Sequence, residues 1–121
     1  MDQKIFQNPP AEYRSAPFWA WDGDLQKEEL DKQIEDFKVM GYGGFFMHAR
    51  AGLITPYLSD EYMQRVKDCC EKAKAEGIYA WLYDEDRYPS GPAGGIVTRN
   101  PEFTRRYLRF TAYSYDEPVE Y

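Results

Sequence analysis

Apolar positions along this chain switch between two spacings. Residues 16–21 form a short apolar run with two tryptophans, closed by the turn Asp22-Gly23-Asp24, and read as a strand. Leu30, Ile34 and Phe37 then recur at i, i+4 and i+7, which predicts a helix over about 27–40 with one buried stripe and Gly41 at its end. Residues 43–48 return to a continuous apolar run, a second strand buried on both faces, whose glycines are expected to let helix and sheet approach closely. After a loop over 49–58, Ser59 reads as an N-cap with Asp60 and Glu61 in the first turn. Tyr62, Val66, Cys69 and Ala73 share one face of the helix that follows, and Gly77 ends it. Residues 78–83 predict a third, buried strand, and 84–98 a long loop rich in glycine and proline. Asn100-Pro101 marks the start of a short helix. From Tyr107 the pattern alternates, Leu108, Phe110 and Ala112 against Arg109 and Thr111, as in a half-exposed strand. Residues 1–15 are polar, carry Pro9-Pro10 and read as an N-terminal arm.

The order βαβαβ predicts an α/β fold with a parallel sheet. Two architectures satisfy it. A small doubly wound domain needs about five strands, reverses its strand order and covers both faces with helices. A (β/α)8 barrel, of roughly 250 residues, places sequential strands side by side with helices on one side. Three βα units cannot close a barrel, so on the second reading these 121 residues are a fragment of a longer protein.

Composition narrows the function. A net charge of −6 argues against a nucleic-acid groove and against docking on anionic membranes. No apolar run is long enough to cross a bilayer, and the first residues lack the apolar core of a signal peptide, so a cytoplasmic location is expected. Cys69 and Cys70 are adjacent and lack both disulfide geometry and metal-ligand spacing. The 11 Tyr, 7 Phe and 3 Trp exceed what a core of this size needs and point to a surface that stacks on ring-shaped molecules.

The chemistry-bearing residues follow the strands. Trp19, Trp21 and Asp22 end the first; His48 and Arg50 end the second; Asp84, Glu85, Asp86 and Arg87 end the third. Strands of a parallel sheet put their C-terminal ends on one edge, so these groups are expected around one mouth. Aromatic platforms among carboxylates suit a sugar, whose ring faces stack while its hydroxyls need polar partners. Each residue also has a plainer role open to it. The tryptophans, two apart and so on one face, could fill the core; His48 could be a hydrogen-bonded core histidine; the arginines and acids could tie loops together. Ser90 lacks the setting of a hydrolase nucleophile, and the glycines at 91–95 lack the lysine of a phosphate loop.

Four segments in order carry a resemblance: Phe18-Trp19-Ala20-Trp21-Asp22-Gly23; Gly43-Gly44-Phe45-Phe46-Met47-His48-Ala49-Arg50; Thr55-Pro56-Tyr57-Leu58-Ser59; and the eleven residues from Trp81-Leu82-Tyr83-Asp84-Glu85-Asp86-Arg87 to Tyr88-Pro89-Ser90-Gly91. Residues 16–107 resemble the start of the catalytic barrel of glycoside hydrolase family 106, the α-L-rhamnosidase-like proteins. The resemblance implies a (β/α)8 barrel in a multidomain protein acting on plant or bacterial glycosides or polysaccharides. It implies inverting hydrolysis by two carboxylic acids, with a calcium ion near the sugar in the full-length enzyme. The residues themselves assign no cofactor and no metal ligand. In such barrels the acid and base come from later strands, so they are expected beyond residue 121, with Trp19, Trp21, Asp22, His48, Arg50, Asp84, Glu85 and Arg87 binding the carbohydrate substrate. Asp22 departs from the asparagine expected there. Residues 108–121 resemble the beginning of a β-rich insertion. The fragment alone is expected to be inactive and to self-associate. The competing reading is a non-catalytic carbohydrate-binding or truncated barrel piece.

Overall fold

Three parallel strands stand in the order β1-β2-β3: β1 is Phe18–Trp21, β2 Gly44–Ala49 and β3 Tyr79–Asp86. They come from a computed structural model that describes residues 3–86, 91–108 and 110. The strand predictions hold in position and order, and β1 lies at an edge, so the order lacks the reversal of a doubly wound sheet. Residues 3–15 form more than an arm: α1 is a short helix, Gln3–Gln7, followed by a single 3-10 turn, Ala11–Tyr13.

The two long helices cover one face of the sheet. Helix α2, Lys27–Val39, buries Leu30 and Ile34; helix α3, Asp60–Glu76, buries Tyr62, Val66, Cys69 and Ala73. The Ser59 side chain accepts from the Tyr62 N–H, and Gly77 closes α3 in the left-handed conformation. Both stripes meet Trp19, Trp21, Phe45, Met47 and Ala49 from the sheet in a single core. Edge-to-face ring contacts dominate there: Trp19 with Phe45 at 5.2 Å and Trp21 with Tyr62 at 5.5 Å between centroids. Outside the core, Lys72 of α3 bridges to Glu35 of α2 and Glu76 of its own helix.

Among the described residues, no helix covers the opposite face. Phe18, Phe46 and Trp81 stand in register across the three strands and stack, with centroids 5.3 Å and 4.9 Å apart. Phe18 is 62% exposed and Trp81 41%. This corrects the expectation that the third strand is buried. β3 is an edge strand with a bare face, so Tyr79, Trp81 and Leu82 all reach solvent. It is also longer than its apolar run suggested, because Asp84, Glu85 and Asp86 belong to the strand and not to the loop after it.

The glycine pair at the start of β2 serves a different approach from the one expected. A Cβ on Gly43 would lie 1.9 Å from the Ala11 carbonyl oxygen, and one on Gly44 2.4 Å from that of Tyr79 and 2.5 Å from the Trp81 ring. The missing side chains admit the N-terminal turn and the neighbouring strand, not a helix. Beyond β3, residues 97–99 and 101–103 form two 3-10 turns, the second capped by the Asn100 side chain accepting from the Glu102 N–H. The strand expected from Tyr107 has no regular structure at Tyr107, Leu108 or Phe110; the rest of it lies outside the described residues.

Candidate functional site

The ends of the strands form one rim. Ala20 pairs with His48, Trp21 with Ala49, and Ala49 with Asp86, so the last residues of β1, β2 and β3 lie side by side. The register between β2 and β3 shifts just before this point: Met47 pairs with Leu82 but Ala49 with Asp86. The extra residues in β3 form a bulge, a device that re-aims side chains at the ends of sheets.

Hydrogen bonds join the loops after β1 and β2. The Arg50 N–H donates to the Trp21 carbonyl at 3.0 Å and the Ile54 N–H to that of Gly23 at 3.0 Å. Thr55, 2% exposed, accepts from the Leu25 N–H at 3.0 Å and donates from its hydroxyl to Asp24 Oδ1 at 3.1 Å. Tyr57 reaches the third strand, its hydroxyl donating to the Asp84 carbonyl at 3.0 Å.

His48 sits on the helix-free face, packed against Tyr83 at 4.3 Å and Phe18 at 5.7 Å between ring centroids. Burial pushes its imidazole below the ordinary 6.5, and the Arg50 charge pushes the same way while Glu85 opposes. The ring is therefore neutral at pH 7, with one nitrogen donating and the other accepting. His48 Nε2 and Glu85 Oε2 are buried and have no hydrogen-bond partner. Buried polar atoms are nearly always paired; Trp21 Nε1, Asp31 Oδ1, Tyr62 Oη and Arg65 Nε also lack partners, but His48 and Glu85 are the two at the strand ends. The plainer role of a hydrogen-bonded core histidine is thus not filled at Nε2.

The structure brings Asp22, His48, Arg50, Asp84 and Glu85 to the same edge, with Asp22, Arg50 and Asp84 exposed. It does not bring the tryptophans into the mouth. Trp19 and Trp21 are 7% and 2% exposed, and Trp19 Nε1 donates to Gln33 of α2 at 2.7 Å. Their expected role as stacking platforms is corrected: both face the helices, the reverse of His48. Arg87 lies outside the described residues. Sequence reasoning overlooked Tyr83 and Thr55. Period two from Trp81 places Tyr83 on the His48 face and could have found it; nothing local distinguishes Thr55, whose partners are 30 residues away.

Among the described residues, no group of three or more His, Cys, Asp or Glu side chains is placed to hold an ion. The acids of β3 therefore do not by themselves make the oxygen cage that calcium takes.

Comparison with known proteins gives a likeness of fold. A rhamnosidase from Novosphingobium sp. PP1Y superposes with a TM-score of 0.60 over 71% of this chain at 22% identity. The chain spans 9% of that protein's length. No protein-family model matches the sequence, and no curated protein does.

Proposed function

We propose that this chain is the opening part of a glycoside hydrolase barrel of the α-L-rhamnosidase-like kind and carries part of its sugar-binding mouth. The observation that carries the reading is the pair of buried, unpartnered atoms, His48 Nε2 and Glu85 Oε2, at the C-terminal edge of a parallel sheet. That edge is where barrel enzymes gather their chemistry. A rhamnosidase fold over most of the chain, with sequential strands and helices on one side, agrees with it.

On this reading the rim binds and orients. Glu85 accepts from a sugar hydroxyl, neutral His48 donates or accepts at Nε2, and Asp22, Asp84 and Arg50 stand at the solvent edge to complete the hydrogen-bond set. Phe18 and Tyr83, not the tryptophans, offer ring faces near His48. Inverting hydrolysis needs two carboxyl groups about 6.5–9.5 Å apart. The acid and base belong to strands that would follow β3, and calcium, if the enzyme uses it, would draw most of its ligands from there.

The test is turnover of an aryl α-L-rhamnoside by these 121 residues and by the longer polypeptide that contains them. The longer protein is expected to cleave and the chain alone to be inactive. In the longer protein, His48→Ala is expected to lower turnover with the melting temperature nearly unchanged. Glycoside binding without turnover by the longer protein would favour a non-catalytic carbohydrate-binding role. One feature leans that way: Glu85 is the sole carboxylate buried at the rim among the described residues.

A further inference from the structure

The sheet is open at β1, and a cleft of about 330 Å³ lies along that edge, between the strand, the turn at 22–24 and the first half of α2. Backbone groups face it. In a parallel ladder, alternate residues bond to opposite neighbours. The Pro17 carbonyl accepts from the Phe46 N–H and the Trp21 carbonyl from the Arg50 N–H, so residues 17, 19 and 21 bond toward β2. The N–H and carbonyl of Ala20 therefore point away from the sheet. Ala20 is exposed and lines the cleft.

The side chains of the cleft carry one sign. Asp22, Asp24 and Glu29 line it, and no lysine, arginine or histidine does. Among the described residues, none of the three acids forms an ion pair, although Asp31 and Glu35, further along α2, both do. Two of the acids are held in place. Asp24 accepts from the Thr55 hydroxyl and the Gln26 amide. Trp19 Nε1 donates to Gln33 at 2.7 Å, and Gln33 Nε2 in turn to Glu29 at 3.5 Å. The same wall contains Trp21, 2% exposed, whose indole N–H is buried without an acceptor. The acids are not placed to share a metal ion.

We infer that the β1 edge takes up an extended polypeptide segment that carries an arginine. An unpaired edge is a template for another strand, which brings carbonyl and N–H groups to those of Ala20. Three carboxylates without a counter-charge favour a cation, and a guanidinium, with five donors in a fixed fork, serves more than one of them at once. A small free cation would answer the acids and leave the edge unbonded. The inference deepens the proposed function and rests on it for the source of the segment, which on that reading is the strand that closes the barrel onto β1. A protein of the rhamnosidase's length, of which this chain spans 9%, has the chain to supply it.

The test is a titration of the 15N-labelled chain in dilute solution with three probes: the peptide acetyl-Thr-Val-Arg-Val-Thr-amide, the same peptide with glutamine in place of arginine, and ethylguanidinium chloride. The Ala20 and Gly23 amides and the Trp21 indole N–H report the β1 edge, and the Ala80 and Leu82 amides report β3, the other edge of the sheet. The arginine peptide is expected to shift the β1 reporters saturably and to bind about fivefold tighter than the glutamine peptide. Sodium chloride at about 0.5 M is expected to shrink that advantage. Glu29→Gln is expected to weaken the arginine peptide about two- to fivefold and to leave the glutamine peptide unchanged. Glu28→Gln, which alters an exposed acid in the same turn of α2 but outside the cleft, is expected to change neither. Equal binding of the two peptides, equal shifts at β3, ethylguanidinium binding as tightly as the arginine peptide, no saturable shift, or indifference to Glu29→Gln would each overturn the inference. None of these outcomes bears on rhamnoside turnover by the longer protein, so the two readings fail separately.

Discussion

The two faces of one small sheet have almost the same chemistry and opposite fates. Trp19, Trp21 and Phe45 on one side, and Phe18, Phe46 and Trp81 on the other, are equally aromatic. The first set is sealed by α2 and α3; the second is stacked in register but open to water. Aromatic content therefore says little about role in this protein. What decides it is which face the helices cover, and His48, which we propose binds the sugar, lies on the face they leave bare.

The sharpest way to break that contrast is to truncate a ring on each side. Trp21→Ala is expected to cost about 3–5 kcal/mol, because a filled core position becomes a cavity. Urea unfolding followed by far-UV circular dichroism measures it, and a cost near zero would mean that the helices do not seal this face. The bare face is expected to drive self-association through its exposed aromatics. Sedimentation at rising concentration should show oligomers, and Phe18→Ser with Trp81→Ser should shift the distribution toward monomer. Trp81→Ala alone is expected to cost about 1 kcal/mol, the worth of its ring pairing with Phe46. A loss as large as that for Trp21 would show that β3 is covered in solution.

The smallest expected effect is on pH dependence, and a single histidine makes it legible. The folded His48 titrates below the unfolded value of 6.5. In the window beneath 6.5 the unfolded chain binds the proton first, so stability is complete above that window and declines as pH falls through it. His48→Gln should flatten this part of the profile, and NMR titration of the one imidazole gives the folded pKa directly. A value at or above 6.5 would remove the claim that burial governs this ring.

Much of this fold could be read from the chain because its signals are local. Ser59 and Gly77 bracket α3 at both ends, and the stripe Tyr62, Val66, Cys69 and Ala73 is the stripe that is buried. The helical turn at Gln3–Gln7 escaped notice because it has no apolar stripe and buries nothing. The exposure of β3 was invisible for another reason. Its apolar run looks like that of β2, and only the position of each strand in the sheet separates a central strand from an edge. The tryptophans teach the same lesson at the site. Spacing of two put them on one face, yet spacing alone could not say whether that face meets helices or solvent. His48, Glu85 and Arg50 could be found because a parallel sheet aligns strand ends; the joining residue Thr55 could not, since its bonds cross 30 positions of sequence.

Thr55 has a consequence for how such a mouth can change. Through it and the backbone bonds beside it, the loops after β1 and β2 are stitched into a hoop. A loop that hangs freely can be lengthened, shortened or swapped without disturbing its neighbour. These two cannot, because an insertion in either pulls on the seam that holds Arg50 beside Trp21 and Ile54 beside Gly23. Variation along the rim is then channelled to the third loop, which touches the hoop through the close fit of Gly94 against Tyr57. An engineer wanting a new specificity would begin after Asp86 and leave the hoop intact.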